Sequence, residues 1–449
     1  MSNEYDVIVL GTGSAGTTVA YACKSAGKSV AIIDSRPFGG TCALRGCVPK
    51  KVYTAASEAM DWANRMNGKG IEQNGIQFHW GELQKFKRTF TDPFPENREQ
   101  GYTHAGIDTY HGRAEFVDEQ AIRIEETTLH GEHIVIATGA KPRHLGISGE
   151  EYLTTSTEFL ELEELPENIV FIGAGFISME FAHVAVRAGA DVWIIHRNER
   201  PLKSFDPDLV KILVEASKKA GIQFSFHAEL TEVEHSGDTY LVHASKDGED
   251  LAIETDMVVH GAGRVAEIND LNLEKVDVQH SGRGVRVNKY LQSVSHPHIY
   301  AGGDAADSGP PLTPVASLDG EVIAENIIHG NTRIPDYSVV PSVVFSEPHL
   351  TTVGISEKEA QEQERDFRVS FSQTGDWVTS RRINQPYSGF KILIDNQTDR
   401  ILGAHLLGPH AEEVINIFAL AMKNDISAAT LKEMIYAYPT SASDIPYML

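Results

Sequence analysis

The sequence predicts an α/β protein: two Rossmann-like nucleotide-binding domains followed by an α+β C-terminal domain. Two glycine fingerprints predict the first part, each set in a strand–turn–helix–strand pattern. A C-terminal stretch of strands and helices without such a fingerprint predicts the second. The length of 449 residues exceeds one compact core and suits roughly three domains of about 100–200 residues.

Val7-Ile8-Val9-Leu10 is an apolar strand that runs into Gly11-Thr12-Gly13-Ser14-Ala15-Gly16 and then an Ala-rich helix. Gly11 allows the tight turn, Gly13 lets backbone approach a pyrophosphate, and Gly16 lets helix pack on strand. The helix start opened by Ser14 and Ala15 offers free N–H groups to phosphate. Val30-Ala31-Ile32-Ile33 is the second strand, and Asp34 ends it 23 positions after Gly11. A carboxylate there can accept hydrogen bonds from a ribose diol.

A mixed segment ends in a strand from His133 to Ala137. The layout then repeats: strand Ile169–Ile172, fingerprint Gly173-Ala174-Gly175-Phe176-Ile177-Ser178, a helix to about Arg187, and strand Val192–Ile195. Counting 23 positions from Gly173 reaches His196, not an acid, and Arg197, Arg200 and Lys203 follow. A carboxylate would repel a 2′-phosphate; a guanidinium pairs with it bidentately. Arg197 and Lys203, with Ser178 at the third glycine position, point to NADPH over NADH, unless these cations are solvated loop charges. After Gly263 a third region leads to Asp304 and a helix from Pro314. Pro335 and Pro341 bracket a linker.

Cysteines occur at positions 23, 42 and 47. Cys23 sits on the first helix and reads as a core thiol. The other two lie in Gly39-Gly40-Thr41-Cys42-Ala43-Leu44-Arg45-Gly46-Cys47-Val48-Pro49-Lys50-Lys51, before a helix pattern from Val52 to Ala63. In a regular helix such a pair is roughly 8–9 Å apart, whereas a disulfide wants about 4.4–6.8 Å between Cα atoms. The first turn is therefore expected to be distorted, with glycines permitting it. At a helix start the dipole favours thiolate. Redox, metal-binding and structural-disulfide readings all suit the pair. No second Cys or His cluster has ligand spacing, so no metal centre is expected.

Charge and hydropathy narrow the partners. The net charge of −24 disfavours nucleic acid and anionic membrane surfaces. No run approaches the ~18 apolar residues of a membrane helix. The Met1–Asp6 start lacks the pattern of a signal peptide, and so few cysteines do not make a secreted scaffold. A cytoplasmic protein is expected.

The stretch GGTCALRGCVPKK, followed in order by Ala137-Thr138-Gly139, GAGFISME, HPHIYAGGDAAD, LTPVA and PSVVFSEPHLTTVG, resembles the class I flavin disulfide reductases over essentially the whole chain. These are the glutathione reductase and dihydrolipoamide dehydrogenase group, which includes mercuric reductase. The resemblance implies FAD as well as NADPH, a discontinuous FAD-binding domain over 1–146 and 263–335, an NAD(P)-binding domain over 147–262 and a dimerisation domain over 336–449. It implies that Cys47 is the flavin-proximal thiol and Cys42 the interchange thiol that attacks substrate. Lys50 would lie near the flavin, paired with Glu180. Asp304 would hold the ribityl chain. Further cofactor contacts are implied at Gly40, Thr41, Thr138, Gly139, Gly263, Thr313 and Ala316. Thr313-Pro314 is expected to cap and start a helix whose positive end faces the flavin. A homodimer would bring the Tyr438 segment to the partner's dithiol.

The substrate half departs from the family pattern. The C-terminal motif has a histidine before Pro-Thr and a glutamate five residues after that histidine; here Tyr438 and Ser443 stand there, with Asp444 one step late. A phenol is a poor base at neutral pH but can donate a proton. Mercuric reductases are similar in having a tyrosine, but end in a vicinal cysteine pair, where this sequence reads Tyr447-Met448-Leu449. Positions that align with glutathione-binding arginines hold Tyr21 and Glu321. The expected function is an NADPH-dependent reductase of a disulfide. A reductase of metal ions or quinones is the alternative, and a redox-sensing flavoprotein with weak turnover is a third. In each case the acceptor is a small molecule.

Overall fold

A computed structural model describes residues 3–72 and 75–449; Met1 and Ser2, the start of the expected N-terminal pattern, lie outside them. The chain forms two compact units. One comprises residues 1–50, 85–143 and 264–337, the other 51–84, 144–263 and 338–449.

In the first unit the expected βαβ is strand Glu4–Leu10, helix Ser14–Ser25 and strand Val30–Asp34. The two strands pair in parallel, Val7 opposite Val30. Among the described residues the sheet runs Asp108–His111, Val30–Asp34, Glu4–Leu10, Thr127–Ile136, Ala121–Ile124, Ala114–Asp118, with Ile299–Ala301 also pairing to Thr127–Ile136. The parallel strands are buried on both faces, which is why they read as unbroken apolar runs. Val7, Val9 and Ile32 face one side with Val19, Ala20 and Ile323; Ile8, Leu10 and Ile33 face the other with Ile134 and Ile299. Cys23 is buried on the first of these sides, and desolvation pushes its thiol up to about 12: a core thiol, as expected.

In the second unit strands Gln223–Phe226, Asp191–His196, Asn168–Ile172 and Met257–His260 form a parallel sheet beside helix Phe176–Arg187. An antiparallel meander, Ala228–Ser236, Thr239–Lys246 and Glu249–Thr255, follows the last helix–strand pair. The expected linker carries no helix or strand from Gly330 to Pro341. Beyond it, Ser342–Val344, Leu350–Gly354, Ile401–Leu407, Gly389–Asp395 and Phe367–Gln373 make an antiparallel sheet, and helix Ala411–Lys423 packs Val414, Ile415 and Phe418 onto it. No helix among the described residues is long and apolar enough to cross a membrane.

Candidate active site

Backbone geometry explains the first fingerprint. Gly11 has φ +107, and a Cβ there would lie 2.3 Å from the Ala137 carbonyl oxygen. A Cβ on Gly16 would lie 2.0 Å from the Gly11 oxygen. Gly40, at φ +69, comes so close to Gly13 that a Cβ would stand 2.5 Å from its Cα. The turns around 11–13, 39–41 and 137–139 thus meet in one place. Gly13 precedes helix Ser14–Ser25, whose first turn receives no side-chain cap, so its N–H groups point outward. A Cβ on Gly13 or Gly139 would meet nothing within 4 Å, and the buried hydroxyl of Thr138 has no hydrogen-bond partner. Open backbone, uncapped N–H groups and an orphaned hydroxyl are the donor set that a dinucleotide pyrophosphate takes up.

Asp34 stands where expected, but part of its carboxylate is used internally. Oδ2 accepts from the Thr12 amide at 2.9 Å and its hydroxyl at 2.6 Å; Oδ1 accepts from the Arg36 amide at 3.0 Å. Thr12, which the fingerprint reading passed over, also accepts from the Gly39 amide at 3.0 Å and so ties the first turn to the dithiol segment. Asp304 lies in a short 3-10 turn, Gly303–Ala305. The fully buried Asp319 braces that turn by accepting the Gly303 amide at 2.8 Å and the Tyr337 hydroxyl at 2.5 Å. Burial raises the Asp304 carboxyl and the Arg264 charge opposes the rise. Arg264 itself donates to the Ala140 carbonyl. It had no motif to reveal it.

The dithiol segment is two helices rather than one with a distorted turn. Gly40–Arg45 carries Cys42; the chain breaks at Gly46, and Cys47 is the first residue of helix Cys47–Met66. A Cβ on Gly46 would come 3.0 Å from the Thr41 oxygen. The break resolves the spacing problem, because Cys42 now hydrogen-bonds Cys47. That bond from Cys42, with the Thr313 hydroxyl and the Lys50 ammonium, holds the Cys47 thiol down at about 6 against the pull of burial. The same bond and burial push Cys42 up. The shared hydrogen bond thus favours the proton on Cys42 and the negative charge on Cys47.

Thr313 is not a helix cap. Leu312 holds that position without a side-chain bond, Thr313 is the first helical residue, and Pro314 follows in the first turn. The Thr313 oxygen lies instead 3.3 Å from Cys47 Sγ. Ala316, one turn on, sits against Gly303, where a Cβ would meet its methyl at 3.1 Å. Thr313→Val is expected to raise the Cys47 pKa by about one unit, the worth of one hydrogen bond to a charged group. The midpoint of the pH profile for iodoacetamide alkylation of the reduced protein measures it; an unmoved midpoint rejects the contact.

In the second unit Gly173 has φ +86, and a Cβ would stand 2.6 Å from the Gly261 oxygen. Gly175 is extended and precedes helix Phe176–Arg187, again uncapped by any side chain. Phe176 opens the helix 53 % exposed. Ser178 is buried, its hydroxyl unpartnered, and only the missing side chain of Gly261 makes room for it, since a Cβ there would lie 1.9 Å from Oγ. Glu180 is buried, and Oε1 accepts from the Phe345 amide at 2.9 Å. Gly263, at φ +113, separates strand Met257–His260 from Arg264–Ala266.

The three basic residues after His196 separate by role. Arg200 is no solvated charge: its guanidinium donates to the Lys203, Phe205 and Leu202 carbonyls at 3.0–3.4 Å and shapes the loop. Arg197 and Lys203 are exposed. His196 is pushed down by burial, so it offers a phosphate no positive charge and leaves that role to Arg197 and Lys203.

Tyr438 is 81 % exposed. Ser443 completes a capping box with Thr440, accepting the Thr440 amide at 3.2 Å. Asp444 accepts from the Thr379 hydroxyl, and burial raises its carboxyl. Both residues near the family's glutamate position are thus committed locally. Tyr21 packs its ring at a tilt against Tyr102, and Glu321 pairs with Arg333 at 3.0 Å.

Two glycine turns opening onto uncapped helix starts and a cysteine pair at a third helix start are the parts of a flavin- and pyridine nucleotide-dependent oxidoreductase. Residues 5–320 match the pyridine nucleotide-disulphide oxidoreductase family and residues 340–448 its dimerisation domain, and the chain belongs to this family. It is 31 % identical to a mercuric reductase of Lysinibacillus sphaericus, over 99 % of this chain and 82 % of that protein. It is 30 % identical to a glutathione reductase of Nostoc sp., over the full length of both. A solved Cu(II) complex of a mutant of the HOCl-induced flavoprotein disulfide reductase RclA from Escherichia coli superposes with a TM-score of 0.89, at 25 % identity over 100 % of this chain and 99 % of that one.

Proposed function

We propose that this chain is an FAD-bound, NADPH-dependent reductase of a disulfide, working through Cys42 and Cys47. The observation that carries the reading is the break at Gly46, which sets Cys42 and Cys47 on adjoining helices with the Thr313 oxygen 3.3 Å from Cys47 Sγ. When bound, the flavin supplies the two-electron relay from the pyridine nucleotide to the dithiol. The Gly11–Gly16 turn, Thr138, Asp304 and the Thr313 helix hold it, and Lys50 adds positive charge on its side of the dithiol. Glu180 serves as the buried carboxylate of the nucleotide domain. The Gly173–Ser178 turn with Arg197 and Lys203 holds NADPH.

The exchange uses the chain's own atoms. Cys42 sulfur attacks one substrate sulfur, the substrate S–S bond breaks, and the first thiol leaves with the proton that Cys42 gives up. The Cys47 thiolate then attacks the Cys42 sulfur of the mixed disulfide. The second thiol leaves, takes a proton from solvent, and the Cys42–Cys47 disulfide closes. Two electrons pass to the substrate, and NADPH restores them. The dimerisation domain would pair two copies, and the exposed Tyr438 that a second copy would bring relays the Cys42 proton to the first leaving thiol. NADPH turnover with oxidised glutathione, lipoamide, a mixed disulfide, Hg(II), Cu(II) and a quinone tests the reading; activity confined to metals or quinones rejects it.

A second reading, reduction of a soft metal ion, is favoured by one observation. Ser443 and Asp444 are both engaged locally, so Tyr438 has no adjacent carboxylate to make it a base. A metal ion bound by thiolates needs no general acid. The mercuric reductase and the copper-bound reductase among the similar proteins give this reading its choice of acceptors.

A further inference from the structure

We infer that the second unit holds a site for one divalent transition-metal ion of the zinc type, formed by Glu58, Glu347 and His349. Their ligand atoms all lie within 4.8 Å of one another and line one small cleft with Trp62, Arg65 and His410. The cleft has room for a single water-sized occupant.

Two atoms aimed into it have no hydrogen-bond partner. Glu347 Oε1 and His349 Nε2 belong to side chains only 7 % and 5 % exposed. They stand 3.6 Å apart, too far for a hydrogen bond. That separation suits two ligands of one ion, since bonds near 2.1 Å in a tetrahedron place donors about 3.4 Å apart. The other ring nitrogen, His349 Nδ1, lies 2.8 Å from Glu412 Oε2. A carboxylate on Nδ1–H fixes the tautomer and turns the Nε2 lone pair inward, the arrangement that supports metal-bound histidine. The ligand turn is held from both sides: the Glu347 amide donates to His183 Nδ1 at 3.1 Å, and the Gly408 amide to the His349 carbonyl at 3.0 Å.

Charge balance agrees. Arg65 and Arg187 share Asp61, at 2.6 Å each. With Glu58, Glu347 and Glu412 there are four carboxylates against two guanidiniums; against burial, Glu347 and Glu412 push the His349 imidazole up to about 9, so it carries a proton in the empty site, and a divalent ion that displaces that proton brings the ensemble to zero. One imidazole with carboxylate oxygens selects zinc-like ions over magnesium or calcium, which take oxygen alone. The expectation of no metal centre rested on spacing along the chain, and these ligands come from distant positions.

The test uses the flavin-loaded protein with its dithiol oxidised, stripped with chelator and dialysed against Zn²⁺ alone. One Zn²⁺ per chain is expected, retained in Cys42→Ser. His349→Gln should weaken binding at least about tenfold, as should Glu58→Gln, which alters only a partly exposed residue and tests the site if the buried variant fails to keep its flavin. No Zn²⁺ retained by the wild type, equal affinity in Glu58→Gln, or loss of Zn²⁺ only on Cys42→Ser would each overturn the assignment.

Discussion

Cys42→Ser is expected to lower turnover of a disulfide acceptor by about 10³-fold or more while leaving reduction of the bound flavin by NADPH intact. The size follows from removing a nucleophile, which no neighbouring group replaces. Cys47 is the more acidic thiol, but it sits against Thr313 and Lys50, and it resolves the mixed disulfide rather than starting it. A serine hydroxyl at 42 can still donate to the Cys47 sulfur, so the thiolate persists in the variant. Stopped-flow reduction by NADPH and steady-state turnover on the same sample separate the two half-reactions. Full turnover by Cys42→Ser would show that electrons leave without the dithiol. Loss of both half-reactions would place Cys42 in flavin binding instead.

Both nucleotide cradles were legible in the sequence because a short stretch of backbone determines them. Gly11 and Gly173 each carry positive φ beneath a facing carbonyl, so only glycine fits, and the strands around them are buried on both faces. The helix break at Gly46 was half legible: the spacing of two sulfurs demanded distortion, but not two separate helices. Thr313 was misread because the capping rule is local, whereas its hydroxyl serves a sulfur 266 positions away. Ser443 looked like a lost catalytic residue and is a capping partner. Glu58, Glu347 and His349 share no sequence pattern at all; only folding brings helix Cys47–Met66 beside the turn that leads into strand Leu350–Gly354.

Arg197→Glu is expected to lower kcat/KM for NADPH by about 10²-fold or more and to leave NADH within a few-fold. The loss combines a charge-assisted hydrogen bond to the 2′-phosphate, about 1.5–3 kcal/mol, with repulsion from the new carboxylate. NADH has no phosphate there and a diol that a carboxylate can accept from, so its constant has no reason to fall. Lys203→Ala should cost less, since an ammonium is a point charge without the planar fork. Arg200→Ala supplies the contrast. Its guanidinium is spent on three carbonyls, so that variant should loosen the loop and depress both nucleotides alike. Kinetics with both nucleotides on all three variants decide the matter. An unchanged NADPH to NADH ratio in Arg197→Glu, or a larger change of ratio in Arg200→Ala, would move phosphate recognition away from the end of strand Asp191–His196.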